Sequence, residues 1–151
     1  MTGFFNKILR VNLKTRAFRE ESVPDSVFET YLGGKGLGIY LLMKENPPGG
    51  DPLSPQNKLI FCLGPATDSR IYGSCRHCVF TKSPLTGIFS ESYSGGKVAE
   101  PMSRTGYDAF VRTGDRTGRP PVVSDLIHLG ISFLFITNTL LQASNPFPLE
   151  H

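Results

Sequence analysis

The sequence predicts an α+β protein in which antiparallel and mixed β-sheets are accompanied by a few helices. Strand-like runs are gathered together along the chain, and helical periodicity is concentrated between residues 24 and 45. The chain has 151 residues, of which 39% are hydrophobic and 19% are charged. This composition is ordinary for a globular domain that is large enough to bury a hydrophobic core.

The first elements are predicted to be a β-hairpin followed by two helices. Residues 7–13, "KILRVNL", alternate apolar and polar positions, and "KTRAF" offers a turn into a second extended run. Asp25 and Ser26 are predicted to cap a short helix that ends near "LGG". A second helix is predicted through "LGIYLLMKE".

The middle of the chain is predicted to contain two buried strands. Residues 46–55, "NPPGGDPLSP", hold four prolines and form a connecting loop. Strand structure resumes in residues 58–64, "KLIFCLG", and again in "HCVFTKS", with the polar loop "PATDSRIYGS" between them.

The last elements are predicted from the glycines and from short apolar runs. A helix is expected within "SYSGGKVAEPMSRTGYD", opened by Ser94 and the two glycines that follow it, with Pro101 restricting or kinking it. "AFVRTG" and "RPPVVSD" are expected to be short strands or extended segments.

Charge and hydropathy exclude some classes of protein. The net charge of +3 is too small and too scattered to favour nucleic acid. No signal peptide is visible, so the expected compartment is the cytoplasm. The most apolar run, residues 127–141, is shorter than the ~20 residues of a membrane-spanning helix and is interpreted as core or an irregular tail.

Two glycine-rich turns are candidates for anion binding. Residues 32–38, "LGGKGLG", precede a predicted helix, where free N–H groups and the helix dipole favour phosphate, although turn chemistry favours a simple helix–helix turn as the explanation of the glycines. Residues 93–96, "YSGG", follow the same logic. With Arg76 and Lys82 between them, the two turns suit an anion with more than one phosphate.

Residues 75–78, "CRHC", contain the most distinctive chemical groups. A zinc site or a redox dithiol is one interpretation, and ordinary buried cysteines are the other. In a strand, Cys75 and His77 would face one side and Cys78 the other, which favours the second interpretation. Cys62 lies on a neighbouring strand, and a structural disulfide framework is not expected from three cysteines in a reducing compartment.

No spacing in the sequence forces a catalytic pair together. Each carboxylate is therefore expected to be solvated. The acid–base candidates considered are Asp68, Glu91, Glu100, Asp108, His77 and Tyr72.

Several stretches resemble the amino terminus of the tungsten-containing aldehyde ferredoxin oxidoreductases. They include "YLGGKGLGIYLLMKE", "DPLSPQNKLIF", "TKSPLTG" followed closely by "SGG", and "GYDAF", in the family's order, and the resemblance covers residues 5 to about 111. It implies that the chain is part of the family's amino-terminal domain, which cradles tungsten held by two pterin dithiolenes with a bridging magnesium ion.

The resemblance also implies which residues meet this cofactor. Arg76 occupies the position of the family's pterin-contacting arginine, and the turn formed by Tyr93, Ser94, Gly95 and Gly96 occupies the position that meets pterin phosphate and magnesium. Lys82 is expected to make a weaker electrostatic contribution. Relatives often have Asn at the position of Tyr93. A contact made by the backbone carbonyl would tolerate this change, whereas a side-chain role would be lost. No catalytic residue and no protein metal ligand is assigned to this chain.

The resemblance implies that much of the family's machinery lies elsewhere. The cysteine ligands of the family's 4Fe–4S cluster and its substrate channel have no counterpart here, so we expect an amino-terminal fragment that is inactive alone. The full enzyme would oxidise an aldehyde to a carboxylic acid and pass electrons to ferredoxin. The expected divisions are a truncated tungstopterin-binding domain over residues 1–125, a divergent tail over 126–148 and a tag remnant at 149–151.

Two alternatives stay open at this point. One is a non-enzymatic pterin-binding or assembly partner of a separate catalytic subunit, and the other is a small zinc or thiol-redox protein centred on Cys75 and Cys78. Self-association through exposed apolar surface, including residues 127–141, is also expected for a domain that lacks its neighbours. Neither nucleic acid nor membrane is expected as a partner.

Overall fold

A computed structural model describes residues 2–113, which form a six-stranded mixed sheet with three helices. The strands are β1 (Lys7–Asn12), β2 (Ala17–Ser22), β3 (Leu59–Leu63), β4 (His77–Lys82), β5 (Phe89–Ser94) and β6 (Ala109–Thr113). The helices are α1 (Asp25–Tyr31), α2 (Lys35–Glu45) and α3 (Ala99–Arg104). These elements confirm the predicted fold class. The predictions for "RPPVVSD", residues 127–141 and the last three residues lie outside the described residues.

The order of strands in the sheet is β2-β1-β6-β3-β4-β5. All neighbouring strands are antiparallel except β1 and β6, which are parallel, with Ile8 opposite Ala109. Central strands that are covered on both faces need apolar side chains at successive positions. β6 meets this need, because four of its five residues are buried.

The hydrophobic core lies between the sheet and the helices α1 and α2. Its completely buried side chains include Phe28 from α1, Leu37 from α2, and Ile8, Ile60 and Phe80 from the sheet. α2 packs against β3 and β4. The core therefore fixes the first turn of α2 relative to the ends of these two strands.

Two glycines of α2 allow this helix to approach its neighbours closely. A Cβ atom at Gly38 would lie 2.2 Å from two carbons of the Phe80 ring, and one at Gly36 would lie 1.7 Å from the carbonyl oxygen of Tyr31. Both distances are far below van der Waals contact. These glycines are therefore required by packing.

Two predictions about helix starts are wrong. α1 begins at Asp25 after Pro24 as its N-cap, and no side chain caps it, because Pro24 has no side-chain acceptor. Ser94 is the last residue of β5, and the N-cap of α3 is Val98. β5 itself was not predicted. Pro101 lies in the first turn of α3, where its missing N–H costs little.

Charged groups join the hairpin to α2. The Arg10 guanidinium donates to Glu21 through Nε at 2.5 Å and to Glu45 through Nη2 at 2.6 Å. The hydrogen bond to Glu45 is the largest influence that raises the pKa of Arg10, and Arg10 in turn lowers the pKa of Glu21. Arg10 therefore stays charged and links β1, β2 and the end of α2.

Candidate functional site

Both glycine-rich turns lie at the same edge of the sheet. Leu63 at the end of β3 pairs with His77 at the start of β4, and His77 pairs with Ser94 at the end of β5. The backbone N–H of Gly34 donates to the Leu63 carbonyl at 2.8 Å, which brings the first turn of α2 to this edge. The fold thus gathers segments that are about sixty residues apart in sequence.

Arg76 lies directly over the backbone of the second turn. A Cβ atom at Gly95 would be 2.8 Å from Arg76 Nη1 and 3.3 Å from its Cζ. Only glycine leaves the guanidinium room to lie there. The backbone of Arg76 is also held in place, because the Thr67 hydroxyl donates to its carbonyl oxygen at 3.0 Å.

The Arg76 guanidinium is available to a ligand. Its side chain is exposed, and it has no carboxylate or hydrogen-bond partner among residues 2–113. An arginine presents planar paired donors that match the oxygens of a phosphate. The resulting surface suits an oxyanion laid against a glycine backbone.

The turn after β5 is open at its far end. Gly96 has φ +86°, and a Cβ atom there would meet nothing within 4 Å. The Cys75 thiol donates to the Gly96 carbonyl, with Sγ and O 3.2 Å apart. This contact ties the turn to the residue that precedes Arg76.

Lys35, Glu91 and Tyr93 form a cluster beside this turn that sequence reasoning missed. Lys35 Nζ lies 2.9 Å from Glu91 Oε1, and the Tyr93 hydroxyl donates to Glu91 Oε2 at 3.0 Å. The ammonium also lies over the Tyr93 ring, 5.9 Å from its centroid. No sequence signal joins Lys35 to Glu91, 56 positions away, because only the packing of α2 on the sheet creates the contact.

The protonation states in this cluster follow from its contacts. The hydrogen bond between Lys35 and Glu91 raises the pKa of Lys35 and lowers the pKa of Glu91. The pKa of Tyr93 is raised, first by desolvation and then by its hydrogen bond to Glu91. At neutral pH the cluster is therefore an ammonium–carboxylate pair with a neutral phenol.

Lys82 does not join the other predicted site residues. It lies at the opposite end of β4 from Arg76, roughly 20 Å away along an extended strand. Its ammonium donates to the Gly50 carbonyl, and its own carbonyl accepts from Asn57. These contacts secure the loop of residues 46–55.

The three cysteines lie in different environments. Cys62 and Cys78 are buried opposite each other on β3 and β4, with the Cys78 thiol 3.5 Å from the Cys62 carbonyl, whereas Cys75 is partly exposed at the turn. Burial raises the pKa of Cys62 and raises the pKa of Cys78 to about 11. Within residues 2–113 no group of three or more metal-ligating side chains converges.

His77 is partly buried between β3 and β5. Its Nδ1 atom is buried and has no hydrogen-bond partner in the part of the chain that the structure describes. Desolvation lowers the pKa of His77. The imidazole is therefore neutral at physiological pH and places no second positive charge next to Arg76.

The carboxylate candidates have structural partners. Arg104 bonds Asp68 at 3.1 Å and also Glu100, which ties α3 to the loop before β4. Asp108 is buried and accepts backbone N–H groups of Phe5 and Lys7 at 3.1 and 3.3 Å. The expectation of a solvated carboxylate is wrong for Asp108, whose pKa is raised by burial.

Helix lengths bear on the membrane question. Among the described residues, no helix is both long enough and apolar enough to cross a bilayer. α2, the longest of the three helices in residues 2–113, has 11 residues.

Comparison with protein families finds one match to most of the chain. Residues 8–123 match the family described as "Aldehyde ferredoxin oxidoreductase, N-terminal domain". This range includes the sheet from the second residue of β1, Ile8, to the end of β6, and the edge that carries Arg76.

Curated relatives are similar over the same part of the chain. The tungsten-containing aldehyde ferredoxin oxidoreductases of Pyrococcus horikoshii and Pyrococcus furiosus are each 43% identical over 114 residues, and that of Thermococcus kodakarensis is 41% identical. The matched region is 76% of this chain and 19% of each relative. The chain thus corresponds to about one fifth of the length of these proteins.

A solved structure has the same fold. It is the active-site complex BamBC of benzoyl coenzyme A reductase bound to 1,5-dienoyl-CoA, with a TM-score of 0.73 and 30% sequence identity. The similarity covers 76% of this chain and 18% of that one. The mixed sheet therefore recurs in a much longer polypeptide.

Proposed function

Because this chain belongs to the aldehyde ferredoxin oxidoreductase N-terminal domain family, we propose that it forms one wall of a tungsten-bispterin site. In this proposal Arg76 and the turn Ser94–Gly96 bind phosphate oxygens of a pterin. The tungsten-containing relatives support the identity of the cofactor, since they are 41–43% identical to this chain.

The position of the Arg76 guanidinium over Gly95 carries the proposal. A methyl group at residue 95 would clash with Nη1 of Arg76. Glycine at this position therefore allows the guanidinium to lie where it does. The guanidinium is exposed and has no carboxylate partner within residues 2–113. These residues fit a phosphorylated ligand, because paired N–H donors and nearby glycine backbone suit phosphate oxygens.

Tyr93 contributes through its backbone in this proposal. Its hydroxyl is already bonded to Glu91, and its ring lies beside Lys35. A contact to magnesium would therefore come from the main-chain carbonyl, which any residue type supplies. Lys82 is left out of the proposed site, because its ammonium bonds the Gly50 carbonyl at the far end of β4.

The bound tungsten group would supply two-electron redox chemistry to the whole enzyme. The overall reaction would convert one aldehyde and one water to one carboxylic acid, two protons and two electrons, which ferredoxin accepts. This chain would contribute binding and orientation of the pterin. The iron–sulfur ligands and the substrate channel would come from sequence that the relatives have beyond the matched fifth.

Titration with inorganic pyrophosphate and magnesium tests the anion site directly. We expect Arg76→Met to weaken pyrophosphate binding about tenfold or more, as for loss of a charge-assisted hydrogen bond. Lys82→Met is the matched control and should change affinity less than about twofold. Equal affinity of wild type and Arg76→Met would contradict the proposal.

Elemental mass spectrometry combined with fluorescence of oxidised pterin tests the identity of the cofactor. Tungsten and pterin recovered with the wild-type chain, and lost together in Arg76→Met, would support it. Stoichiometric zinc in place of tungsten would overturn it.

A further inference from the structure

The cluster of Lys35, Glu91 and Tyr93 connects the two glycine-rich turns. Lys35 directly follows Gly34, the N-cap of α2, while Tyr93 directly precedes Ser94. The two contacts to Glu91, at 2.9 and 3.0 Å, therefore join the start of the helix to the end of β5.

β5 depends on such contacts for its position. It lies at the edge of the sheet and pairs with β4 alone in the described range, and five of its six side chains are exposed. Backbone pairing holds one side of the strand, and side-chain contacts must hold the rest. In residues 2–113, the ion pair of Lys35 with Glu91 is the one ion pair that β5 makes.

The Tyr93 ring adds an apolar contact to this connection. Its ring packs edge-on against Phe80, with centroids 6.4 Å apart, and Phe80 is completely buried. Phe80 is also the residue against which Gly38 of α2 packs. The end of β5 and helix α2 therefore both pack against the buried ring of Phe80.

We propose that Lys35, Glu91 and Tyr93 are positioning residues that hold the Ser94–Gly96 turn beneath the Arg76 guanidinium. The inference about the ligand rests on the proposed function, whereas the structural link does not. Glu91 pairs with the Lys35 ammonium at 2.9 Å, so the charge of Lys35 is balanced within the cluster.

Amide hydrogen exchange in the ligand-free chain tests the structural link. In Glu91→Gln and Lys35→Met we expect the amides of β5 to exchange about two- to fivefold faster, the range for loss of an exposed ion pair. Amides of β1 and β6 should be unchanged in both variants. Lys35→Arg keeps the charge and should restore wild-type exchange.

Lys7→Met is the matched control for this experiment. Lys7 also forms an exposed ion pair, with Glu20 at 3.7 Å, but it lies on β1, away from the turn. We expect no change in β5 for this variant. Unchanged β5 exchange in both Glu91→Gln and Lys35→Met, or no rescue by Lys35→Arg, would overturn the proposal.

Pyrophosphate affinity separates this inference from the proposed function. The double variant Lys35→Met with Glu91→Gln removes the pair without changing the net charge, and it should weaken pyrophosphate binding about two- to fivefold at unchanged global stability. If the wild-type chain binds no pyrophosphate, the Arg76 site is contradicted while the exchange result still decides the structural link. If Arg76→Met loses binding and the double variant retains full affinity, the positioning role is wrong.

Discussion

Two glycine-rich turns that look alike in sequence use their glycines for different purposes. In the first turn, Gly36 and Gly38 allow α2 to lie against Tyr31 and the buried ring of Phe80. In the second, Gly95 makes room for an exposed arginine side chain, and the space next to Gly96 is open. The first turn is closed by the protein itself, and the second is open to a ligand.

The neighbour of each glycine decides which purpose it serves. A buried ring cannot move out of the way of a new methyl group, because the surrounding core is close-packed. An exposed guanidinium can move at little cost in stability, but it then leaves the position in which it would bind an anion. Substitutions at the two turns should therefore affect different measured quantities.

Of the four glycine substitutions compared below, Gly38→Ala should have the largest effect on stability. The added methyl group would lie 2.2 Å from the Phe80 ring, which is 0% exposed. We expect the free energy of unfolding to fall by about 1–3 kcal/mol, the usual cost of overpacking a core. Urea denaturation followed by circular dichroism measures this change.

Gly64→Ala is the control for this substitution. A Cβ atom at Gly64 would meet only Thr67 Oγ1, at 3.6 Å, which is ordinary contact. Its effect on the free energy of unfolding should stay within about 0.5 kcal/mol. Equal destabilisation by Gly38→Ala and Gly64→Ala would mean that close packing is not the reason for Gly38.

Gly95→Ala should weaken anion binding and leave stability nearly unchanged. The methyl group would displace Arg76 Nη1, so we expect pyrophosphate affinity to fall about tenfold. The free energy of unfolding should change by less than about 0.5 kcal/mol, because the displaced group is the flexible end of an exposed side chain. Calorimetric titration and urea denaturation measure the two quantities.

Gly96→Ala, in the same turn, should lower stability and leave anion affinity nearly unchanged, the reverse of Gly95→Ala. Its φ of +86° strains any other residue, whereas a Cβ atom there meets no neighbour. We expect a loss of about 1 kcal/mol in stability with affinity changed less than about threefold. If Gly95→Ala and Gly96→Ala weakened binding equally, displacement of the arginine would not explain the effect.

A buried and an exposed tyrosine should also differ in their titration, and this is the smallest of the expected effects. Tyr107 is 7% exposed and donates to Glu20 at 2.6 Å, while Tyr93 is 54% exposed and donates to Glu91. Desolvation, followed by the bond to Glu20, raises the pKa of Tyr107 to about 12. Absorbance titration of Tyr107→Phe should lack the transition near this pH, and that of Tyr93→Phe should keep it.

The raised pKa of Tyr107 also makes stability depend on alkaline pH. The unfolded phenol ionises near pH 10, whereas the folded one keeps its proton to about pH 12. Between these values the folded state binds more protons, so its stability falls as pH rises. In Tyr107→Phe the free energy of unfolding should fall less steeply over this pH range. An unchanged slope would mean that another group causes the fall.

The sequence predicted most elements correctly because their signals are local. The alternation in residues 7–13, the apolar run at 58–64 and the prolines of the loop at 46–55 each act over a few residues. β5 was missed because "FSESYS" has few residues that favour strands. Its extended structure comes from pairing with β4, which is a tertiary effect.

The proximity of the candidate site residues was predicted only in part. Arg76 and the Ser94–Gly96 turn were expected together, and they do lie at one edge of the sheet. Lys82 is close in sequence to Arg76, but the length of an extended strand separates them. Lys35 and Glu91 could not be paired in advance, because their contact needs the packed position of α2.

The place of β6 in the sheet has a consequence for folding during synthesis. β6 is the last strand of residues 2–113 to be made, yet it lies in the middle of the sheet, between β1 and β3. The hairpin β2-β1 and the meander β3-β4-β5 have no strand pairing with each other without it. On the ribosome the two halves must therefore wait, with their inner edges unpaired, until residue 113 has emerged. A nascent chain paused before that point would expose two strand edges that can pair with other chains.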